Sequence, residues 1–330
     1  MNPRVLGWRD FYSLSFEPNV ADQPGSPTPY IALDTRGGID GKQLSQVANW
    51  CQRQPLPIVT IGEVLPGILD IADIVVADDG ELALVAAAIE QNPAASAVLV
   101  QVLRSTLRLP VAQALAVESL AYSVLQGGEE FHAWLGSQPK RTSKANADTE
   151  PMVLVERQDH HVEMTLNSPA NRNALSVPMR DALADAFRLV ALDPAIVKVD
   201  VRGNGPSFCS GGDLSEFGSS TDHAAAHATR MARMPAQFLA PCADRFTFHL
   251  KGACVGAGIE IPAFAGRIVA APDTVLRLPE VAMGLIPGAG GCVSIPRRIG
   301  RQRTAWMAVT GLPVDARRAL EWGLVDEIAR

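Results

Sequence analysis

The first part of the chain alternates between strand-like and helix-like hydrophobic patterns. Short, continuous apolar runs predict buried strands at residues 30–33, 57–62 and 72–77. Apolar residues at helical spacing predict helices at residues 43–51, 81–92, 94–104 and 111–125. Residues 1–30 are rich in Pro, Gly and Ser, so we expect an irregular arm there. Together these segments predict an N-terminal α/β and helical region over residues 1–141.

The second part of the chain, residues 151–330, begins with a βαβ rhythm. Two strand-like runs lie between residues 153 and 166, a helical pattern covers 177–192, and a strand pattern covers 196–202. This order predicts a sheet with helical crossovers. A polar stretch without periodicity separates the two parts over residues 137–150, and we place the linker at 142–150.

Composition narrows the class of protein. The 330 residues are 47% hydrophobic and 19% charged, which is typical of a folded globular chain. The net charge of −6 argues against nucleic acid or anionic membranes as partners. We find no apolar run long enough for a membrane helix and no signal-peptide pattern. The five cysteines form no CxxC pair, so we expect a reducing, cytoplasmic location and no zinc site.

Two glutamates stand out in the glycine-rich stretch between residues 251 and 291. Glu260 and Glu280 are flanked mostly by apolar residues. Charged side chains in apolar surroundings cost free energy unless they are paired or used chemically. Paired carboxylates beside small residues suit general acid–base catalysis at a site that the backbone approaches closely.

Four segments resemble, in order, the conserved blocks of the crotonase superfamily, the enoyl-CoA hydratase/isomerase family. They are residues 167–176, 207–214, 252–260 and 278–291, and residues 319–328 are also typical of the family. The resemblance implies an α/β fold with a crotonase-like ββα spiral core and additional helices. Residues 151–330 would form the catalytic core.

The resemblance is incomplete at the end of the chain. Family members normally continue with further helices after the segment that resembles residues 319–328, whereas this sequence ends at Arg330. Residues 72–141 resemble that helical tail. Two interpretations stay open: residues 80–136 take the usual C-terminal position, as in a circular permutation, or they form an unrelated N-terminal domain.

The resemblance also implies roles for four residues. The backbone N–H groups of Gly212 and Ala257 would hold the thioester oxygen as its charge develops. The family usually has glycine at position 257, so the Cβ of Ala257 is expected to narrow the pocket or to disfavour a positive φ. Glu260 would hold and activate water, and Glu280 would deliver a proton to the α-carbon. A buried helix over residues 259–265 would add its dipole at the oxyanion.

The CoA moiety is expected along two loops. By resemblance, the residues that contact it are Arg172, Ala174, Leu175, Ser210, Gly211, Leu214 and Gly256. Asp213 is predicted to cap a helix that starts at Leu214. The glycines at 288, 290 and 291 are predicted to form the turn that begins a helix under the acyl pocket.

Two weaker patterns are interpreted as structural. His223 and His227 have the i, i+4 spacing of metal ligands, but no third ligand is evident, so we expect a helix face and no metal. Cys209 has no base indicated beside it, so we expect a packed thiol. No cofactor is required beyond the acyl-CoA substrate itself.

The sequence therefore predicts an enoyl-CoA hydratase, a hydro-lyase that adds water syn across a 2-enoyl-CoA double bond. The alternatives within the superfamily are an isomerase, a retro-aldol lyase, a hydrolase or a cofactor-independent dioxygenase-like relative. A non-catalytic subunit that kept the fold is the alternative of a different class. The resemblance also implies a homo-oligomer, either a trimer or a hexamer, that binds acyl-CoA and neither nucleic acid nor membrane.

Overall fold

A parallel four-stranded sheet begins the computed structural model, which describes residues 5–17, 29–139 and 150–329. Its strands follow chain order, β1 (Val5–Gly7), β2 (Ile31–Asp34), β3 (Ile58–Ile61) and β4 (Ile74–Val76). The connecting helices are α1 (Trp8–Leu14), α2 (Leu44–Cys51) and α3 (Ile68–Ile71). The predicted strands and helix of this segment are confirmed, and each observed end lies within two residues of the predicted end.

The two faces of this sheet bury different sets of side chains because successive residues of a strand point in opposite directions. Ile31 and Leu33 pack with Phe11 and Trp50 in a small cluster under the first helices. Ala32 of the same strand faces the other way and joins the main core of the protein. The sheet is thus a layer between the first three helices and the rest of the chain.

The prediction of an irregular arm over residues 1–30 is wrong for the segment 5–14, which forms β1 and α1. Val5 pairs in parallel with Ala32, and the Phe11 ring packs edge-on against Trp50 with 5.7 Å between centroids. This segment contains one glycine and no proline, and the burial of Phe11 and the added backbone pairing stabilise its strand and helix. Residues 1–4 and 18–28 of the predicted arm lie outside the described residues.

Four helices follow the sheet, α4 (Asp79–Gln91), α5 (Pro93–Thr106), α6 (Val111–Gln126) and α7 (Glu129–Ser137). Asp78 caps the first through a bond from Glu81 N, and Pro93 stands at the first position of the second. The predicted helical segments are confirmed. In the part of the chain that the structure describes, no single helix could cross a membrane, whereas α4 and α5, bent by 107°, pass the same test as a pair. Residues 142–149 of the predicted linker, which spans 142–150, lie outside the described residues.

Residues 150–329 are built on a six-stranded sheet. The strands are β5 (Val153–Gln158), β6 (His161–Leu166), β7 (Lys198–Gly203), β8 (Phe246–Leu250), β10 (Arg267–Ala270) and β13 (Glu327–Ile328). Their order across the sheet is β13-β10-β8-β7-β6-β5. Only β5 pairs antiparallel, with β6, and the other neighbours in this sheet are parallel. The helices between β6 and β8 are α8 (Val177–Leu192), α9 (His223–Arg233) and α10 (Pro235–Leu239).

A smaller sheet carries the glycine-rich segment. Its strands are β9 (Ala253–Val255), β11 (Val275–Arg277) and β12 (Val314–Asp315), and their order across the sheet is β12-β11-β9. The helices of this part are α11 (Ala257–Glu260), α12 (Gly291–Ile299), α13 (Arg301–Thr310) and α14 (Ala316–Trp322). The predicted glycine turn before α12 is confirmed, because Gly290 has φ +102° and directly precedes the helix.

The predicted buried helix over residues 259–265 is wrong in its extent. The α-helix ends at Glu260, and a 3-10 turn over Pro262–Phe264 follows it. Pro262 has no N–H with which to continue the α-helical ladder. Phe264 N therefore donates to Ile261 O at 3.2 Å, and Ala265 N donates to Pro262 O at 2.9 Å. A helix of one turn offers only a small dipole to an oxyanion.

The N-terminal helices and residues 150–329 share one hydrophobic core. A buried ion cluster joins them, since Asp73, beside β4, accepts bonds from Arg104 of α5 and from Arg301 of α13. The Trp306 indole of α13 also donates to Glu81 of α4 at 2.7 Å. The two parts thus pack together extensively, and the circular permutation stays a prediction.

Candidate active site

Glu260 and Glu280 face the same small space above Gly256. Glu260 is the last residue of α11 and is 2% exposed, whereas Glu280 follows β11. A carbon at the Cβ position of Gly256 would clash with Glu280 Oε1 and would lie 3.5 Å from Glu260 Oε1. Gly256 also has φ +49°, which L-residues rarely adopt. The structure therefore brings the two sequence-predicted acids together, over a position that glycine alone fits.

The two carboxylates differ in their hydrogen bonds. Glu260 Oε2 accepts from the backbone N–H groups of Ala289 at 2.7 Å and of Gly291 at 2.9 Å. Glu280 Oε2 is buried without a hydrogen-bond partner. Donated N–H bonds stabilise an ionised carboxylate, and their absence favours the protonated form.

Burial and the hydrogen bonds act on the pKa of each acid. Desolvation raises the pKa of Glu260 to about 7, while the bonds from Ala289 and Gly291 oppose this rise. Desolvation and the nearby Glu260 raise the pKa of Glu280 well above its usual value. A pair of acids whose environments differ in this way is suited to one proton acceptor and one proton donor.

A third buried carboxylate, Glu118 of α6, completes the cluster. Its Oε1 accepts from Gly290 N at 2.7 Å, and its Oε2 accepts from Cys292 N at 2.8 Å. Burial and the charge of Glu260 raise the pKa of Glu118 well above its usual value. Sequence analysis missed this residue, although a signal was present: Glu118 lies among the buried positions of its helix, next to Ser119 and one turn after Ala114 and Leu115.

Two backbone N–H groups border the same pocket without an acceptor among the described residues. They belong to Gly212 and Ala257, the pair that the resemblance assigns to the thioester oxygen. The expected strain at Ala257 is wrong, because the positive φ values fall on its neighbour Gly256 and on Gly211, at +97°. Ala257 is the first residue of a helix, a position that tolerates a Cβ. Its N–H is free because the first turn of a helix lacks internal acceptors.

The two loops predicted to contact CoA are joined by their backbones. Leu175 N donates to Gly211 O at 2.7 Å, and Ser210 N donates to Arg172 O at 3.1 Å. Asn173, fully buried, fixes them further with side-chain bonds to both neighbouring segments. These hydrogen bonds therefore fix the conformation of both loops next to Gly212.

The predicted CoA contacts are placed unevenly along these loops. Leu175 lines the pocket, whereas the other predicted residues do not. Arg172 is exposed, Ser210 and Leu214 are half-buried, and Ala174, Gly211 and Gly256 are buried. The prediction that Asp213 caps a helix is wrong, because a turn follows it. Asp213 accepts from Ser215 N at 2.9 Å and from Asn171 Nδ2 at 2.9 Å.

The pocket has a volume of about 480 Å³ and is closed on one side by the N-terminal helices. Tyr122 and Gln126 of α6 line it together with Thr229 and Arg230 of α9. Sequence analysis did not single out any of these four residues. They add polar groups to a pocket that is also lined by apolar residues such as Leu175 and Met234 and by the charged Arg180 and Glu216.

The histidine pair of α9 faces the N-terminal helices. His227 Nδ1 lies 2.9 Å from Ser119 Oγ, and the backbone carbonyl of His223 accepts from Ser123 Oγ at 3.2 Å. Within residues 5–17, 29–139 and 150–329, no group of three or more His, Cys, Asp or Glu is arranged to hold a metal ion. Cys209 is 3% exposed, and burial raises the pKa of its thiol to about 11, as suits a packed side chain.

Comparison with known proteins identifies this arrangement. Residues 156–330 match the family model described as enoyl-CoA hydratase/isomerase. The chain belongs to the enoyl-CoA hydratase/isomerase family. The crotonase resemblance and the predicted crotonase-like α/β fold are thereby confirmed. The chain is a crotonase-type acyl-CoA enzyme.

Relatives and solved structures agree with the family model. A 2,3-dehydroadipyl-CoA hydratase of Escherichia coli strain K12 is 31% identical over 179 residues, 53% of this chain and 68% of that relative. The mevalonyl-coenzyme A hydratase sidH of Aspergillus fumigatus is 32% identical over 174 residues, 51% of this chain and 63% of that relative. The enoyl-CoA hydratase structure from Thermoplasma volcanium GSS1 has a TM-score of 0.50 and 30% identity, covering 55% of this chain and 72% of its own. An enoyl-CoA hydratase/isomerase from Mycobacterium paratuberculosis has a TM-score of 0.51 and 27% identity, covering 55% and 74%.

Proposed function

We propose that this crotonase-family protein is an enoyl-CoA hydratase that adds water syn across the double bond of a 2-enoyl-CoA thioester. The observation that carries the proposal is the pair Glu260 and Glu280 over Gly256, where the buried Glu260 accepts two N–H bonds and the buried Oε2 of the half-buried Glu280 accepts none. An isomerase or a hydrolase would not require a water held between two acids of different proton affinity.

The proposed reaction moves one proton from water to Glu260 and one proton from Glu280 to the substrate. Glu260, ionised, accepts a proton from water as the water oxygen bonds to the β-carbon. The π electrons move to the thioester oxygen, where the N–H groups of Gly212 and Ala257 stabilise the enolate. Glu280, protonated, then donates its proton to the α-carbon as the carbonyl re-forms. Proton exchange with solvent returns both acids to their starting states.

The acyl-CoA is proposed to enter along the joined loops that contain Leu175 and Gly212. Its thioester would lie at the two free N–H groups, and its acyl chain would continue past the glutamates toward Tyr122. Arg172, exposed on one of these loops, would contact a phosphate of CoA. Ala174, Ser210, Gly211, Leu214 and Gly256 would shape the path of the pantetheine arm.

We further propose that helices α4–α7 take the place of the family's usual C-terminal helices, as in a circular permutation. Supporting this, Glu118 of α6 bonds the backbone at Gly290 and Cys292, directly beneath the pocket. Tyr122 of the same helix lines the pocket wall. Assembly into a trimer or hexamer and a cytoplasmic location stay predictions from the family resemblance.

The test is the hydration of crotonyl-CoA and longer 2-enoyl-CoA thioesters, followed by the loss of ultraviolet absorbance of the conjugated thioester. The wild-type protein should hydrate at least one of them, and Glu260→Gln and Glu280→Gln should each lower kcat by about 100-fold or more, since acid–base catalysis supplies about 100- to 10,000-fold. Glu321→Gln, at an exposed position of α14, is the matched control and should leave kcat unchanged. Wild-type turnover that survives both active-site substitutions would contradict the assigned roles.

A further inference from the structure

The acyl pocket contains one guanidinium that is held in place by neutral groups. Arg230 of α9 donates from Nε to Ser119 Oγ at 3.0 Å, from Nη1 to Gln126 Oε1 at 3.1 Å, and from Nη2 to Ser119 O at 3.2 Å. Its Nη2 also donates to Ser123 Oγ. All four acceptors lie on α6, so the guanidinium is fixed at the wall of the pocket that the N-terminal helices form.

The charge of this guanidinium is unmatched at close range. Among the residues that the structure describes, no carboxylate lies within 4.0 Å of Arg230. Arg180, which lines the same pocket, contacts Asp181 at 2.8 Å, and Arg233 of α9 contacts Asp181 and Asp185. Glu118 acts on Arg230 only at longer range, because its own oxygens accept the N–H groups beneath the pocket.

A partly buried charge without a counter-ion is costly, and burial lowers the pKa of Arg230 from its ordinary value. A guanidinium has five N–H donors, of which these bonds use four. The second N–H of Nη1 therefore has no acceptor among the described residues. An anion in the pocket would supply both the missing acceptor and the missing charge.

In the proposed orientation of the substrate, Tyr122 places this guanidinium on the acyl side of the reacting bond. The Arg230 Cζ lies 4.9 Å from the centroid of the Tyr122 ring. The same ring packs against Gly288, so closely that a Cβ there would overlap it, and Gly288 lines the pocket beside Glu260. The glutamates, the tyrosine ring and the guanidinium thus follow one another along a single pocket.

We propose that this site takes 2-enoyl-CoA thioesters whose acyl chain ends in a carboxylate, and that Arg230 binds that carboxylate. The inference rests on the proposed hydratase function and names its substrate class. A carboxylate suits a guanidinium because charge-assisted bonds between them are short and directional. A CoA phosphate is the other source of an anion, and the experiment separates the two.

The experiment compares three substrates of similar length in steady-state hydration: a 2-enoyl-CoA with a terminal carboxylate, its uncharged methyl ester, and the corresponding alkyl 2-enoyl-CoA. The wild-type protein should show a kcat/KM for the acid that is ~10- to 100-fold above that for the ester, as bonds to charged groups provide. Arg230→Gln should remove this preference while changing kcat/KM for the ester only a few-fold. Arg230→Lys, which keeps the charge, should retain part of it.

The control variant is Arg233→Gln on the same helix, because neither Arg233 nor its partners Asp181 and Asp185 line the pocket. It should leave the acid-to-ester ratio unchanged. If the wild-type protein hydrates the ester as efficiently as the acid, the inference is overturned while the hydratase function stands, and this comparison needs no variant to fold.

A phosphate role for Arg230 gives a different pattern. Arg230→Gln would then weaken all three CoA substrates equally and would have no effect on pantetheine thioesters, an outcome that overturns the inference. If no thioester is hydrated, the proposed function fails, and calorimetry with the saturated acyl-CoA acid and its ester decides the inference separately. Tighter binding of the acid that is lost in Arg230→Gln would support it, and equal binding would overturn it.

Discussion

Glu118 and Glu260 divide four consecutive backbone N–H groups between them. Glu260 accepts from residues 289 and 291, and Glu118 accepts from residues 290 and 292. The two acids belong to different regions of the sequence, yet together they accept the N–H groups at the start of α12. The position of the proposed base is therefore coupled, through one stretch of backbone, to a helix of the N-terminal region.

Replacing Glu118 with glutamine should damage both stability and turnover. The amide offers one acceptor to two buried N–H groups, and leaving a buried donor unsatisfied costs about 1–3 kcal/mol. We expect the free energy of unfolding in urea to fall by that amount and kcat to fall about tenfold with less change in KM. Glu129→Gln, at an exposed position of α7, is the control. An unchanged kcat in a folded Glu118→Gln protein would show that the shared backbone does not position Glu260.

Gly256→Ala should disable the pair of acids. The added Cβ would overlap Glu280 Oε1 and would have to adopt φ +49°. Displacing a catalytic group by about 1 Å can cost ~100-fold in rate, so we expect kcat to fall by about that factor. Gly136→Ala, at a helical position with no atom within 4 Å of the new Cβ, should be neutral or slightly stabilising. Full activity in Gly256→Ala would contradict the placement of Glu280.

The buried acids should make the fold less stable as pH rises. The pKa values of Glu118, Glu260 and Glu280 lie above the ordinary 4.5, so the folded state binds more protons than the unfolded state above pH 4.5. Their stabilisation is complete below that pH and is lost as pH rises through about 7, the pKa of Glu260.

We therefore expect the urea-unfolding free energy to decrease between about pH 5 and pH 8. Carboxylates with a lowered pKa, such as Asp200, titrate below 3.8 and do not affect this window. Glu280→Gln should flatten the decrease because the amide does not titrate. A stability that increases with pH across this range, or an identical slope in the variant, would contradict the burial of a protonated Glu280.

Asp73→Asn should destabilise the fold by weakening the packing between its two regions. The carboxylate is 1% exposed and contacts Arg104 and Arg301, at 4% and 8% side-chain exposure. Removing one partner of a buried ion pair leaves the other charges uncompensated, at a cost of about 3–5 kcal/mol. Thermal and urea unfolding measure this loss, and the exposed Asp70→Asn should change stability by less than about 0.5 kcal/mol. A small loss in Asp73→Asn would mean that the hydrophobic contacts alone hold the regions together.

Periodicity predicted most helices and strands because they are long or strongly apolar. The helix over 177–192, for example, has the predicted bounds, with Ser176 as its cap. The segment 5–14 was missed because Phe11 is buried by contacts with Trp50, which local composition does not reveal. The helix after Gly258 was predicted too long because Pro262 diverts the backbone into a 3-10 turn.

The residues of the candidate site also differ in whether the sequence could reveal them. Glu260, Glu280, Gly212 and Ala257 follow from segments that resemble a family, and those segments all lie between residues 207 and 291. Glu118 and Arg230 act through contacts across more than 100 positions of sequence, which no local pattern contains. Glu118 alone carried a signal, as a charge on the buried face of a helix.

Hydration of crotonyl-CoA in D₂O, with NMR of the product, tests the central claim most directly. The account predicts one deuterium at the α-carbon, syn to the new β-hydroxyl, in the wild-type product. Glu280→Gln should form almost no deuterated product while still binding the saturated acyl-CoA. Anti addition, or rapid α-deuteration by Glu280→Gln, would contradict the claim that two acids on one side of the substrate share the reaction.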